Sequence, residues 1–229
     1  MTNPTQLVSI LMSVHNSQET LDKALKSILN QTYTNTEILI MDDASTDASS
    51  EILDRYSKDY GNIKIYKNKI NIGLTKSLNL LIKYANGIYI ARQDADDFSN
   101  ILRLEKQINF LNYHNLDACS TWAKNIDTDE KIHAFSNLFS PKLIIKYKNP
   151  FIHGSLLIKK DTLNKLNNYN EKFYYAQDYK LMTDLIKKNF RIKILPEILY
   201  ELNMQNNISS NFSEEQKYFA NCVRKDLIP

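Results

Sequence analysis

Residues 7–43 read LVSILMSVHNSQETLDKALKSILNQTYTNTEILIMDD. Leu7–Val14 is a short apolar run rich in β-branched side chains, which predicts a strand buried on both faces, as in a parallel sheet. In Thr20–Gln31, residues Leu21, Ala24, Leu25, Ile28 and Leu29 recur at helical spacing. Glu37–Met41 predicts a second buried strand, and it stops abruptly at Asp42-Asp43. Strand, helix and strand in that order form a βαβ unit with a right-handed crossover.

The pattern continues outward. Ser45 or Thr46 is expected to cap the next helix, with Asp47 in its first turn and Ile52, Leu53 and Tyr56 inward. Asn62–Lys67 predicts a third strand and Leu74–Ala85 a helix with Leu74, Leu78, Leu81, Ile82 and Ala85 inward. Ile88–Ala91 is a fourth strand running into Arg92-Gln93-Asp94-Ala95-Asp96-Asp97. The fold class is α/β, a mostly parallel sheet flanked by helices. Beyond it we expect a helix at Ile101–His114, a strand at Asp117–Ala123, and a loop with one short helix over Lys124–Asn149. Gly154–Ile158 reads as a strand, Gln177–Asn189 as an amphipathic helix, Phe190–Leu195 and Ile198–Leu202 as two strands, and Phe212–Arg224 as a last helix. No repeat and no Pro/Gly/Ser-rich linker divides residues 1–229, so one domain is expected.

Composition removes several classes. Apolar residues make up 43% and charged ones 24%, which excludes wholesale disorder. The net charge of +3, with basic residues scattered along the chain, implies no nucleic-acid partner. Cys119 and Cys222 cannot form a disulfide framework, so a reducing compartment is the default. MTNPTQLVSILMSV has no basic leader, and no stretch reaches the ~20 apolar residues of a membrane span. A cytoplasmic chain is expected.

In an open parallel sheet, ligands bind outside the carboxyl ends of the strands. Ser13–Asn16, Asp42-Asp43 and Asp94–Asp97 all fall there. Asp at strand ends also starts turns and caps helices, and that accounts for either cluster alone. It accounts poorly for Asp-x-Asp-Asp, because three carboxylates within four residues repel one another unless a cation sits between them. In an extended segment Asp94 and Asp96 point the same way, about 6.5 Å apart. That suits Mg²⁺ or Mn²⁺ bound to a diphosphate. No Gly-x-x-x-x-Gly-Lys-Ser/Thr loop is present, and no Gly-x-Gly-x-x-Gly follows the first strand.

VSILMSVHNSQETLDKALKSILNQTYTNTEILIMDDASTD resembles the N-terminal signature of the inverting nucleotide-sugar glycosyltransferases of family 2. NIGLTKSLNLLIKYANGIYIARQDADD, followed by RLEKQ, resembles the middle of their bacterial lipopolysaccharide and capsule branch. The likeness is dense over residues 6–110 and loose over 150–210. It implies the GT-A fold: a Rossmann-like nucleotide-sugar half, residues 1–98, joined without a linker to an acceptor-binding half, residues 99–229. It also implies a UDP-sugar donor, a saccharide or lipid-linked saccharide acceptor, and Mn²⁺ or Mg²⁺.

The resemblance assigns roles as well. Ser13, Val14 and His15 would line the nucleoside pocket, with Asn16 and Glu19 in the same loop. Asp43 would hydrogen-bond the pyrimidine edge, supported by Asp42. Asp94 would contact the ribose and Asp96 the metal. Ala176-Gln177-Asp178-Tyr179 matches the acceptor-side motif, making Asp178 the catalytic base and Glu171 the fallback; an ordinary acid at a helix N-terminus is the plainer reading. His153 could reach the metal, a phosphate or the acceptor, or be structural. Where the family commonly has Tyr-Arg-x-His, this chain has Tyr200-Glu201-Leu202-Asn203 before Asn207-Ile208-Ser209, so Lys76 or Arg92 would supply the charge facing the diphosphate.

His114 and His133 read as surface residues, and Trp122 as core or an acceptor platform. Lys142–Lys148 and the C-terminal helix mix Lys with apolar residues, as on a solvated face or against the anionic lipid of the inner membrane. Two rival functions stay open: a non-catalytic sugar-nucleotide-binding subunit, motivated by Glu201 and Asn203, and a nucleotidyltransferase, for which Ser13–Glu19 lacks the expected Gly and Lys.

Overall fold

The structure, a computed structural model, describes residues 6–132, 139–204 and 213–229. His133, the Asn207-Ile208-Ser209 stretch and Phe212 lie outside them. The first half alternates β1 (Val8–Val14), α1 (Leu21–Leu29), β2 (Thr36–Asp42), α2 (Ser49–Asp59), β3 (Ile63–Lys67), α3 (Leu74–Tyr84) and β4 (Tyr89–Arg92). Strands β1 to β4 pair in parallel in the order β3-β2-β1-β4. Successive side chains of a strand face opposite sides. Ile10, Met12 and Val14 accordingly pack with Leu21, Leu25 and Ile28 of α1, while Leu11 packs with Leu78, Leu81 and Ile82 of α3. Each of these fully buried aliphatic side chains contributes about 1.5–3 kcal/mol.

The second half holds β5 (Phe98–Ser99), α4 (Arg103–Tyr113), β6 (Ala118–Asn125), α5 (Pro141–Ile144), a 3-10 turn at His153–Ser155, β7 (Leu157–Lys159), α6 (Lys160–Lys165), α7 (Gln177–Lys187), β8 (Ile192–Leu202) and α8 (Ser213–Lys225). The sheet continues from β4 through β7, β6 and β8 to β5. β7 runs antiparallel to β4 and β6, and β5 antiparallel to β8. The chain is thus a mixed α/β fold with a mostly parallel sheet flanked by helices.

Several sequence expectations need correction. Ser45 and Thr46 do not cap α2: Asp47 Oδ1 and Gln18 Oε1 accept from the N–H groups of Ser49 and Ala48 at 2.9 and 3.0 Å. Ser45 and Thr46 instead join the β1 loop, through Asn16 N–H to Ser45 Oγ and Thr46 N–H to Asn16 Oδ1. Gly154 is in the 3-10 turn, and the strand begins only at Leu157. The two strands at 190–202 are one, with a register irregularity against β6 between Thr121 and Ala123. Residues 94–97 form a turn closed by Asp97 N–H to Asp94 O, rather than an extended run. Among the described residues no helix is long and apolar enough to cross a membrane.

Candidate active site

The carboxyl ends of β1, β2 and β4 bring three loops together. After β1, His15 Nδ1–H donates to the Asp43 carbonyl at 3.0 Å, and Asn16 takes a left-handed φ of 50°. His15 and Asn16 are exposed and Ser13 half-buried, so they can face a ligand. The Val14 side chain is fully buried in the core, which leaves only its backbone for a nucleoside. Glu19 is exposed in the turn before α1. Thr20 Oγ1 donates to the Ala95 carbonyl at 2.9 Å and ties this loop to the acidic turn.

After β2, Asp42 and Asp43 are 3% and 2% exposed. Asp42 Oδ1 accepts from Ser45 N–H. Asp43 Oδ1 accepts from Asn68 Nδ2 at 2.8 Å and Ile72 N–H at 3.0 Å, and its Oδ2 accepts from Gly73 N–H at 2.8 Å. Asp43 thereby fixes the turn into α3, and lone-pair capacity on Oδ2 remains for a base edge. Asn68, which also donates to Ser77 Oγ, joins this site without having been singled out in the sequence. Its signal was its place just past the end of β3. Gly73 has φ of 85°, and a Cβ there would lie 2.8 Å from the Tyr174 ring. Lys76 is exposed in the first turn of α3.

After β4, Arg92 is fully buried beneath the acidic turn. It donates to the Leu11 carbonyl at 2.9 Å and pairs with Asp94. Burial opposes its charge, but Asp94, Tyr169 and Tyr200 outweigh that and hold its pKa above the usual range. Arg92 therefore supports the turn from below instead of facing a diphosphate as a free cation. Gln93 holds the turn too, donating to the Asp94 and Asp97 carbonyls and accepting from Ser99 Oγ at 2.6 Å. From β8, Tyr200 Oη accepts from Asp94 N–H at 3.2 Å, and Asn203 N–H donates to Asp97 Oδ1 at 2.9 Å. Glu201 pairs with Lys124 at 3.3 Å.

Burial, and then repulsion by Asp94, push Asp96 up to about 6. Burial, Asp94 and Asp96 push Asp97 well above the carboxylate range. Both shifts are those of a site short of positive charge. Among the described residues no three Asp, Glu, His or Cys side chains converge as a complete ligand set. The turn fits a hard divalent ion that takes one or two carboxylates here and its other oxygens from a bound diphosphate and water.

Asp178 enters from the other half of the chain. It lies in the first turn of α7, after Ala176, whose φ of 56° is left-handed. Tyr179, Leu181, Met182 and Leu185 anchor that helix in the core. Asn149 Nδ2 donates to Asp178 Oδ2 at 2.8 Å. Beside them, His153 Nε2 and the Tyr169 hydroxyl share a hydrogen bond of 2.8 Å. Burial, then the Arg92 charge, lower His153 to about 4, while Asp178 and Asp94 act the other way. Tyr169 feels the same three charges. The fold has thus brought Asp94 and Asp178, 84 residues apart in sequence, close enough for both charges to act on one histidine–tyrosine pair. Glu171 is exposed and accepts at 2.9 Å from Asn79 Nδ2, the same amide nitrogen that donates to the Tyr169 carbonyl. Trp122 is half-buried under the Lys131 ammonium. With Phe139, Pro141 and Lys142 it lines a groove of about 380 Å³ separate from the carboxylates.

Residues 9–182 match the family model described as glycosyl transferase family 2. The chain is 34% identical over 201 residues to EpsE of Bacillus subtilis (strain 168), covering 85% of this chain and 72% of that protein. It is 31% identical over 208 residues to the O-antigen biosynthesis glycosyltransferase WbnJ of Escherichia coli, covering 87% and 80%. Its fold is similar to the crystal structure of S. aureus TarS 1-349 in complex with UDP, with a TM-score of 0.75 at 21% identity. That match covers 93% of this chain and 64% of the TarS chain. It is also similar to the mannosyltransferase PcManGT of Pyrobaculum calidifontis in complex with GDP-Man and Mn²⁺, with a TM-score of 0.78 at 19% identity, covering 100% and 68%. The chain belongs to glycosyl transferase family 2, is a glycosyltransferase and has the GT-A fold.

Proposed function

We propose that this family 2 glycosyltransferase transfers a sugar from a nucleoside diphosphate, UDP in first place, to an acceptor hydroxyl with inversion, in building a cell-surface glycan. The observation that carries the reading is the convergence of Asp94 and Asp178 on the His153–Tyr169 pair. One of these carboxylates comes from the acidic turn and the other from the first turn of α7, and both act on that pair. The WbnJ relative is named for O-antigen biosynthesis, and the TarS and PcManGT structures hold UDP and GDP-Man.

In this reading the base lies near His15, with Asp43 Oδ2 at its edge, and Asp94 binds the ribose. Asp96, with Asp94, would hold Mn²⁺ or Mg²⁺, which when bound neutralises charge on the leaving diphosphate. Lys76 adds positive charge at the mouth. The acceptor oxygen attacks the anomeric carbon opposite the diphosphate. A new C–O bond forms there as the C–O bond to phosphate breaks, and the nucleoside diphosphate leaves with that electron pair. Asp178 takes the acceptor proton, because a neutral hydroxyl is a poor nucleophile.

The chain would work at the cytoplasmic face of the inner membrane. Around α5, Lys142, Leu143, Lys146, Tyr147 and Lys148 are all exposed, a mixture suited to an anionic interface and a lipid-linked acceptor. A donor screen tests the function. The protein with Mn²⁺ and each common nucleotide sugar should release nucleoside diphosphate fastest from one UDP-sugar. Anomeric proton coupling of the transfer product should show inverted configuration. Preference for a GDP-sugar would overturn the donor, and retained configuration would overturn the mechanism.

A further inference from the structure

We infer that Asn149 is the positioning residue of the catalytic base, locking Asp178 Oδ2 so that Oδ1 alone is presented to the acceptor hydroxyl. This rests on Asp178 being the base. Asn149 precedes Pro150 and the turn that delivers His153, and its amide cannot turn over freely. Its Oδ1 accepts from Phe151 N–H at 3.0 Å, which leaves Nδ2 to donate to Asp178 Oδ2 at 2.8 Å. Phe151 is 2% exposed, so the anchor of this amide is part of the core.

Asp178 needs such a clamp. It follows a left-handed alanine in the first turn of a helix, and an aspartate there is free to swing toward the backbone N–H groups at the helix end. Among the described residues Asp178 Oδ1 accepts no hydrogen bond, so it is the oxygen left to take a proton. A base misplaced by about 1 Å loses on the order of 100-fold in rate, so a single hydrogen bond holding it is a kinetic element.

The test is a double-mutant cycle with Asn149→Ala and Asp178→Asn, using the best donor from the screen and Mn²⁺. UDP affinity and melting temperature are measured alongside. Asn149→Ala should lower kcat by about 10- to 100-fold with UDP affinity within about twofold. In the Asp178→Asn background the same substitution should change kcat less than about twofold, because it acts through a base already removed. Equal losses in both backgrounds would overturn the role of Asn149 while leaving Asp178 as base. Near-normal turnover of Asp178→Asn alone would instead overturn the base assignment, and the inference with it.

Asn149→Asp is the variant to use if the alanine protein does not fold, since its carboxylate can still accept from Phe151 N–H. Two carboxylates at that separation share a proton. The acidic limb of kcat/KM should therefore move up by at least about one pH unit. An unmoved limb with normal kcat would refute the clamp.

Discussion

At the edge where β1 and β2 begin, Glu37 is 7% exposed and surrounded by donors. Ser9 Oγ at 2.7 Å and Asn86 N–H at 2.6 Å donate to Oε1, while Asn86 Nδ2 at 3.1 Å and Lys64 Nζ at 3.3 Å donate to Oε2. Burial works against its charge, but these bonds bring its pKa down to about 2. At the opposite edge of the sheet, burial and Asp94 push Asp96 up to about 6, against only its own backbone N–H and the Arg92 charge. One carboxylate has every lone pair used and holds strands together. The other is kept short of partners, which costs stability and leaves it able to bind something that arrives. Satisfaction separates a structural acid from a functional one more clearly than burial does.

The largest effect is expected at the functional edge. Asp96→Ala should reduce turnover by about 10²–10³-fold and leave the melting temperature unchanged or higher, because a repelled charge has gone. EDTA should reproduce the loss. A variant that is active in metal-free buffer, or one that unfolds, would break the comparison.

Glu37→Ala should do the reverse. Losing a buried carboxylate that accepts four hydrogen bonds should cost about 2–4 kcal/mol in urea unfolding, because Ser9, Asn86 and Gly87, which donates to Ser9 Oγ, lose their organising acceptor. Turnover per folded molecule should stay within about twofold.

The pH dependence sharpens the contrast. The folded pKa of Glu37 lies below its unfolded value, so its contribution is present above about 4.5 and is lost as pH falls toward 2. At most about 3 kcal/mol is at stake over that window. Glu37→Gln should flatten this part of the stability curve, measured as unfolding free energy against pH. An unchanged slope would mean that other acids set the acid limit.

The smallest effect concerns backbone strain near the site. Ala44 and Ala176 hold φ of 60° and 56°, one following Asp43 and the other two residues before Asp178. Ala44→Gly and Ala176→Gly should each raise stability by about 0.5–1 kcal/mol, visible as a small rise in melting temperature. A fall at either position would show that the alanine methyl makes contacts worth more than the strain.

Local pattern carried most of the first half. The runs at Leu7–Val14 and Glu37–Met41 and the spacing from Leu21 to Leu29 gave strands and a helix within a residue or two of their ends, because each element buries one continuous apolar face. The second half was less legible for equally physical reasons. Phe98-Ser99 is a strand only because β8 is beside it, and two residues have no periodicity of their own. Lys160–Lys165 is a helix too short to display a face. Nothing local marks Glu37 as a buried hub, since its partners Ser9 and Asn86 lie 28 and 49 residues away.

The βαβ alternation, the placing of Ser13–Asn16, Asp42-Asp43 and Asp94–Asp97 at strand ends, and an acid opening the helix at Gln177 are legible without the fold. These follow from spacing within one element and from the topology of parallel sheets. Which groups meet was left to the tertiary structure. It set Tyr200 and Asn203 against the acidic turn from 106 residues away, turned Arg92 inward beneath Asp94, and joined Asn149 to Asp178 across 29 residues. Such contacts depend on strand order and on the direction in which each loop leaves the sheet. Neither is encoded in the periodicity of any single segment.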